Sequence, residues 1–225
     1  VDISILLACE PQSAALNAIK TAVWPDEASA PERIRRILAH PAHSVQIAVT
    51  AEGQAVGFVD GFLTQAANGQ PRWEVDLLAV HPAFQGRKIG QTLIAASVAA
   101  GQARGAQSAR ALVQVTNPAS AGAFRRCAFA CDGRVYQLMI AGPADQPTPA
   151  DSTAALIAVE TLNYSGLWLE EPHTAATLAA GRWWCAHQRG ELVGAVIAAE
   201  NPAALTAAAL GYAPVARFHW WTRAL

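Results

Sequence analysis

Apolar residues along this chain recur at two different spacings, and the spacing separates helices from strands. Leu16, Ile19 and Val23 fall on one stripe of Gln12 to Val23, and Ile34, Ile37 and Leu38 form an i, i+3, i+4 face. Both stretches are therefore expected to be helices. Ser29-Ala-Pro-Glu32, just before the second, has the spacing of a capping box with proline in the first turn. A third helix is expected from Ile89 to about Gln102, where Ile89, Leu93, Ile94 and Val98 share a side. Short apolar runs at Asp2 to Cys9, Val45 to Val49, Ala55 to Leu63, Trp73 to Val80 and Ala109 to Val115 read as strands. The second and third of these are joined through Ala51-Glu-Gly-Gln54 and should form a hairpin. Asn117-Pro118, asparagine as cap and proline in the first turn, opens a further helix, and Tyr136 lies on the strand after it.

Beyond Ala141 the pattern begins again. Ala141 to Pro149 is a proline-rich connector. Strands are then expected at Ala154 to Thr161 and Leu167 to Leu169, around the turn Asn163-Tyr-Ser-Gly166. A helix is expected at Thr174 to Ala180, and a buried strand at Leu192 to Ala199. Asn201-Pro202-Ala203 repeats Asn117-Pro118-Ala119, Gly211-Tyr212 falls where Ala128-Phe129 falls, and an aromatic strand runs from Val215 to Thr222. The chain accordingly divides into residues 1–143, a linker at 144–152, and a shortened, degenerate second copy of the first unit at 153–225.

Composition narrows the class. Of 225 residues, 52% are hydrophobic and 15% charged, which argues against disorder and for a compact soluble protein. A net charge of −1 leaves no basic face for nucleic acid. The apolar stretch Leu192 to Ala216 is broken by Glu200, Pro202, Gly211 and Pro214, so no membrane span is expected. Cys9, Cys127, Cys131 and Cys185 have no metal-ligand spacing and are expected to be reduced and mostly buried, and His173 and His187 to be ordinary polar positions. The start, Val1-Asp2-Ile3-Ser4, lacks the features of a secretion signal. A cytoplasmic location is therefore expected.

Two features carry candidate chemistry. The first is the turn from Gln85 through Gly86, Arg87, Lys88, Ile89 and Gly90 to Gln91. It leads a strand into a helix whose first amide groups have no partner of their own, which with the helix dipole and two cations makes an anion site. A lysine at position 88 adds little strain if its φ is negative, as at a helix start. The second is Glu74 and Asp76, two apart on a central strand and so directed to one face. They are either a hydrated or salt-bridged pair or a base.

The order strand, Gln85-Gly-Arg-Lys-Ile-Gly90, long helix, strand, Asn117-led helix resembles the core of the GNAT superfamily of acetyl-CoA-dependent N-acetyltransferases. Their cofactor motif reads Gln/Arg-x-x-Gly-x-Gly/Ala, which Gln85 and Gly90 fit and Lys88 departs from. Asn117-x3-Ala121-x2-Phe124-x3-Ala128-Phe129 is similar to the family's Asn-x3-Ala-x2-Tyr-x3-Gly-Phe segment. The resemblance implies an α/β (α+β) fold with a mixed, mostly antiparallel sheet flanked by helices. It also implies acetyl-CoA as cosubstrate, with main-chain groups of Leu78, Ala79 and Val80 on the pantetheine, residues 85–91 on the diphosphate, and Asn117 and Phe124 beside the cofactor.

Direct attack by a small-molecule or peptide amine would follow, with Glu74 as base, its pKa raised by desolvation near the acyl group. Phe124 replaces the family's proton-donating tyrosine, so water or Tyr136 would protonate the thiolate. Trp24, Asp26 and Glu27 would border the acceptor, where acid favours a cation. Polyamines, antibiotics, amino acids and peptide N-termini all stay open as acceptors, as does a homodimer. A non-catalytic acyl-CoA-binding or regulatory protein is the alternative.

Overall fold

The computed structural model describes residues 2–27, 29, 31–66, 68–141, 155–156, 159–162, 168–169, 173–174, 193–198 and 203–225. Its first half runs β1 (Ile3–Leu7), α1 (Ser13–Val23), α2 (Pro31–Ala39), β2 (Gln46–Thr50), β3 (Ala55–Gln65), β4 (Pro71–Val80), α3 (Ile89–Ala103), β5 (Ser108–Gln114), α4 (Pro118–Arg126), β6 (Ala130–Cys131) and β7 (Tyr136–Ala141). After it come β8 (Ala155–Leu156), β9 (Val159–Leu162), β10 (Trp168–Leu169), β11 (His173–Thr174), β12 (Val193–Ala198), α5 (Ala203–Ala209) and β13 (Ala213–Ala224). The expected linker, the turn at 163–166, residues 175–180 of the expected helix, and Asn201-Pro202 lie outside the described residues.

One sheet has the order β1-β2-β3-β4-β5-β13-β7-β12-β9-β10, with β6 also against β13, and β8 and β11 form a separate small ladder. Among the described ladders only β4 and β5 are parallel. On one face α3 and α4 cover Trp73, Val75, Ala109, Ala111, Val113 and Trp221, and the α3 stripe Ile89, Leu93, Ile94 and Val98 is buried as its spacing predicts. On the other, Leu16 and Ile19 of α1 and Ile34 of α2 pack on Val45, Ile47, Phe58 and Ala79. Each such side chain contributes about 1.5–3 kcal/mol. No described helix is long and apolar enough to cross a membrane.

Trp73 shows how closely the first face is packed. Its indole Nε1 donates to Ser97 Oγ of α3 at 2.9 Å. A Cβ on Gly61 or on Gly101 would come within 2.5 Å of the indole, so both positions must lack a side chain for helix and sheet to close around it.

One expectation is corrected here. Ser29 does not form a capping box: its hydroxyl exchanges hydrogen bonds with the Asn17 side chain at 3.1 and 3.3 Å, tying the loop to α1, while Glu32 pairs with Arg35 at 2.7 Å. The second half also supplies strands to the first half's sheet. Its last strand, β13, lies between β5 and β7, pairing Trp220 with Leu112 and Phe218 with Tyr136. The reason is that β13 is aromatic on both faces. Trp221 enters the α3–α4 core, whereas Trp220 packs with Phe62, Tyr136 and Val196 on the opposite side. A strand with two apolar faces is stable only where both are covered.

The two Asn-Pro helices end alike. Phe129 N donates to Phe124 O and Ala128 N to Arg125 O, both at 3.1 Å. In α5, Tyr212 N donates to Ala207 O at 3.0 Å and Gly211 N to Ala208 O at 2.9 Å. Each pair is a Schellman cap, whose penultimate residue is left-handed. Gly211 meets that demand freely at φ +84°, whereas Ala128 meets it at φ +64° with a Cβ in the way. Ala128→Gly should therefore stabilise the protein by about 0.5–1 kcal/mol, after glycine's own entropy cost, in urea unfolding. No change, or destabilisation, would show that the strain is relieved elsewhere.

Candidate functional site

The site is built where β4 and β5 part. Their parallel ladder pairs Arg72 with Ser108, Trp73 with Ala109 and Glu74 with Arg110, and goes no further. Beyond Glu74 the edge of β4 from Val75 to Val80 turns away from β5, leaving main-chain groups unclaimed by the sheet. On its other side β4 carries one extra residue against β3. Asp76 pairs with Asp60 but Ala79 with Phe58, and Leu77 takes φ +39°. This bulge shifts the alternation, so Leu78 and Val80 follow Trp73 and Val75 onto the α3 face while Leu77 and Ala79 face α1 and α2. Leu78, Ala79 and Val80 thus stand along the parted edge. The Val80 carbonyl accepts from the Gln85 side-chain amide at 3.0 Å.

The parted edge leads into the 85–91 turn. Gly86 is left-handed at φ +75°, which glycine adopts at no cost. Lys88 caps α3 and is also left-handed, φ +64°, contrary to the negative φ that would spare a lysine strain. A Cβ pays of the order of 1–2 kcal/mol there. The first helical bond of α3 is Thr92 N to Lys88 O at 3.1 Å, so the amides of Ile89, Gly90 and Gln91 precede it and point out of the helix end. Ile89 anchors the turn in the core. Arg87 lies over the Phe84 ring, 5.2 Å from its centroid, and donates to Ala83 O at 3.3 Å. Chemically the turn offers amide donors and two cations to an anion.

Glu74 does not stand as a free base. Arg72 Nε donates to its Oε1 at 2.8 Å, Arg110 Nη2 to Oε1 at 2.9 Å, and Arg110 Nε to Oε2 at 3.2 Å. All three side chains are at least 94% buried, and the Arg110 guanidinium stacks on Trp220 at 3.7 Å. The expectation of a desolvated base at Glu74 is corrected on this ground. Cross-strand neighbours of opposite charge pair, and the salt-bridged reading of Glu74 holds.

Asp76 is the carboxylate beyond the apex. It is half-buried, and burial pushes its pKa up, opposed chiefly by Arg33 of α2 and aided by the charge of Glu74. Directly across the strand Asp60, 1% exposed, is also pushed up by burial, against its bond to His43, whose Nδ1 lies 2.7 Å from Oδ2. Asp60 Oδ1 is buried without a hydrogen-bond partner. The His43 ring is held between Phe62 and His40. Like charges facing each other on adjacent strands repel, so one proton shared among Asp60, Asp76 and His43 relieves the cluster. Such a group can accept a proton or hold a cation. Sequence reasoning missed His43, Asp60, Arg72 and Arg110. Asp60, an acid inside the apolar run Val56 to Leu63, was the available signal.

The other expected residues make contacts close in sequence. Asn117 is a plain cap, its Oδ1 accepting from Ser120 N at 3.0 Å. Phe124 is buried against Phe129, ring centroids 5.1 Å apart, because the Schellman turn brings those two positions together. Tyr136 is corrected too. On β7 it is separated from β5 by β13, roughly 10 Å across the sheet. Its hydroxyl donates to Asp132 Oδ2 at 2.8 Å, and burial, with the Asp132 bond, pushes its pKa up to about 12. Proton transfer from it to a thiolate would run uphill. Glu27 is neutralised by the buried Lys20 at 2.7 Å. The cysteines are less buried than expected: Cys9 and Cys131 are exposed and Cys127 is half-buried, with Cys185 outside the described residues.

Among solved structures, a GCN5-related glucosamine N-acetyltransferase region of a fungal multi-domain GH3 beta-N-acetylglucosaminidase aligns with 99% of this chain at TM-score 0.66 and 10% identity. The chain spans only 38% of that protein's length. A tandem GNAT protein from the clavulanic acid biosynthesis pathway aligns over 99% of this chain and 98% of its own, at TM-score 0.59 and 14% identity. AAC(6')-Iy, in complex with the bisubstrate analog CoA-S-monomethyl-acetylneamine, aligns over 58% of this chain and 92% of its own, at TM-score 0.52 and 22% identity. At such identities these likenesses establish the shared fold. A search of curated proteins finds no match. The sequence profile of the acetyltransferase (GNAT) family matches residues 11–129, more than half of the 225. With its sheet parted beside a bulged strand and a turn of outward amides at the end of that strand, the chain belongs to the GNAT acetyltransferase family.

Proposed function

We propose that the protein transfers the acetyl group of acetyl-CoA to a primary amine by direct attack. The observation that carries this reading is the continuity of the parted β4 edge. It begins beside the Asp76–Asp60–His43 group and ends at the outward amides of residues 89–91. Coenzyme A is a chain of amides closed by a diphosphate, and this edge presents the matching partners in that order. Val75 to Val80 would take the pantetheine and residues 85–91 the diphosphate. AAC(6')-Iy, which carries a CoA-linked analog, supports the fit at the level of fold.

In the reaction the amine nitrogen attacks the thioester carbon, the C–S bond breaks, and sulfur leaves with the electron pair. The proton lost by nitrogen passes to Asp76, which the structure favours over Glu74 because Glu74's oxygens already accept from Arg72 and Arg110. A thiolate is stable enough near pH 8–9, about its pKa, to take its proton from water. No residue need replace the family's tyrosine at Phe124.

The test is calorimetric titration with acetyl-CoA followed by thiol release over a panel of polyamines, aminoglycosides, amino acids and peptides. Micromolar binding together with amine-dependent thiol release is expected. Absence of binding overturns the reading. Binding without turnover on any amine would favour a second one, an acyl-CoA-binding regulator, which the loss of a proton donor at Phe124 makes specific.

A further inference from the structure

Outside the parted strands, Cys131 and Asp132 end β6, and His219 stands on β13 across from them. The Cys131 sulfur, a carboxylate oxygen of Asp132 and a ring nitrogen of His219 all lie within 4.8 Å of one another. Cys131 and Asp132 come from the middle of the chain and His219 from near its end, brought together because the last strand enters the first half's sheet. We propose that Cys131, Asp132 and His219 form a site for a divalent cation of the zinc class, which fastens the turn after β6 to β13.

The donor set selects that class. Thiolate, imidazole and carboxylate together suit zinc and cobalt, whereas magnesium and calcium take oxygen alone. Three protein ligands leave a fourth position for water. With bonds of about 2.0–2.3 Å, tetrahedral ligands lie about 3.3–3.8 Å apart, so these side chains must draw together around the cation. Cys131 and Asp132 are exposed and His219 is half-buried, so small side-chain rotations are open to them.

The surrounding chain already orients each donor. His219 Nδ1 lies 2.6 Å from the Arg134 carbonyl, which can only accept, so Nδ1 carries the proton of the neutral ring and the lone pair sits on Nε2. Asp132 receives Arg134 N on Oδ1 at 3.1 Å and the Tyr136 hydroxyl on Oδ2 at 2.8 Å. Cys131 Sγ receives Gly133 N at 3.4 Å, made possible by the left-handed Gly133, φ +77°. Outer hydrogen bonds of this kind fix the orientation of metal ligands, and the one that His219 gives to the Arg134 carbonyl strengthens its ring as a base. They also give the Tyr136 hydroxyl a partner and a use away from acyl transfer. On binding, the Cys131 thiol gives its proton to solvent and the thiolate takes the metal.

The full-length protein, freed of metal with a chelator, is titrated with Co²⁺ and read by absorbance. One equivalent is expected, with a near-ultraviolet thiolate-to-cobalt charge-transfer band. Cys131→Ser should abolish the band, and His219→Gln should weaken binding more than about tenfold. Tyr136→Phe should weaken it about tenfold, as loss of a ligand's own hydrogen-bond donor does. Cys9→Ser, Cys127→Ser and Cys185→Ser should leave it intact. Zn²⁺ should raise the thermal midpoint of the parent but not of Cys131→Ser, since a cation bound only to the folded chain stabilises it. Circular dichroism confirms that each variant is folded. No charge-transfer band in the folded parent, or a band lost with any cysteine other than Cys131, overturns the site.

Discussion

Asp76→Asn should lower kcat by about 10²- to 10⁴-fold with acetyl-CoA affinity unchanged, the usual worth of a positioned proton acceptor. The substitution keeps the shape of the side chain and removes only its ability to take a proton. Asp60→Asn and His43→Gln act through Asp76, so they should move the pH profile more than the maximum rate. Because burial pushes Asp76 up, the acidic limb of the parent's kcat profile should lie above the ordinary carboxylate value of 3.8, held back from rising further mainly by Arg33. Glu74 on β4, and Asp60 and His43 across the strand, are the charged and ionisable groups that face it together with Arg33. Stability follows the opposite sign. A raised carboxyl binds protons in the folded chain that the unfolded chain has already lost, so ∂ΔG/∂pH is negative between the two values. The contribution is fully present below pH 3.8 and is lost as pH rises through the folded value. Urea unfolding of parent and Asp76→Asn between pH 4 and pH 7 should show a steeper decline in the parent. A variant that retains more than about a tenth of parental kcat would remove Asp76 from the reaction.

Glu74→Gln should instead cost about 3–5 kcal/mol of unfolding free energy, read from urea midpoints at constant m-value. It would leave the buried guanidiniums of Arg72 and Arg110 facing a neutral amide, and a buried ion pair is far more costly to break than to replace whole. In the fraction that stays folded, kcat should fall less than tenfold. Loss of kcat as large as that of Asp76→Asn, with stability intact, would reassign the base to Glu74. The two variants lie two residues apart on one strand face, so their contrast separates pairing from chemistry with the fold as a common background.

Much of this architecture was legible before any coordinates. Periodicity located α1, α2, α3 and the β2–β3 hairpin to within one or two residues, because helical and strand spacings are local properties of the chain. The turn at 85–91 was legible for the same reason: glycine, cations and the start of an apolar stripe are adjacent in sequence. Even the recurrence of Asn-Pro helices pointed to matching ends, and the caps at Ala128 and Gly211 have the same geometry. The departures began wherever partners are distant. Tyr136 could be read as a proton donor until the sheet order set β13 between it and β5, and Lys88 as unstrained until its φ was known.

By itself, then, the sequence determined the elements, the glycine and cation turn at 85–91 and the pair of acids on one strand, since each depends on residues a few positions apart. Only the tertiary structure decided that Glu74 is paired. Arg110 reaches Glu74 through strand pairing 36 residues away, and Asp60 reaches Asp76 through the β3–β4 register. It likewise decided that the last strand completes the first half's sheet, and so that His219 comes to lie beside Cys131. Charge pairing, burial and metal-ligand geometry are distances in space, and no spacing along a chain encodes them.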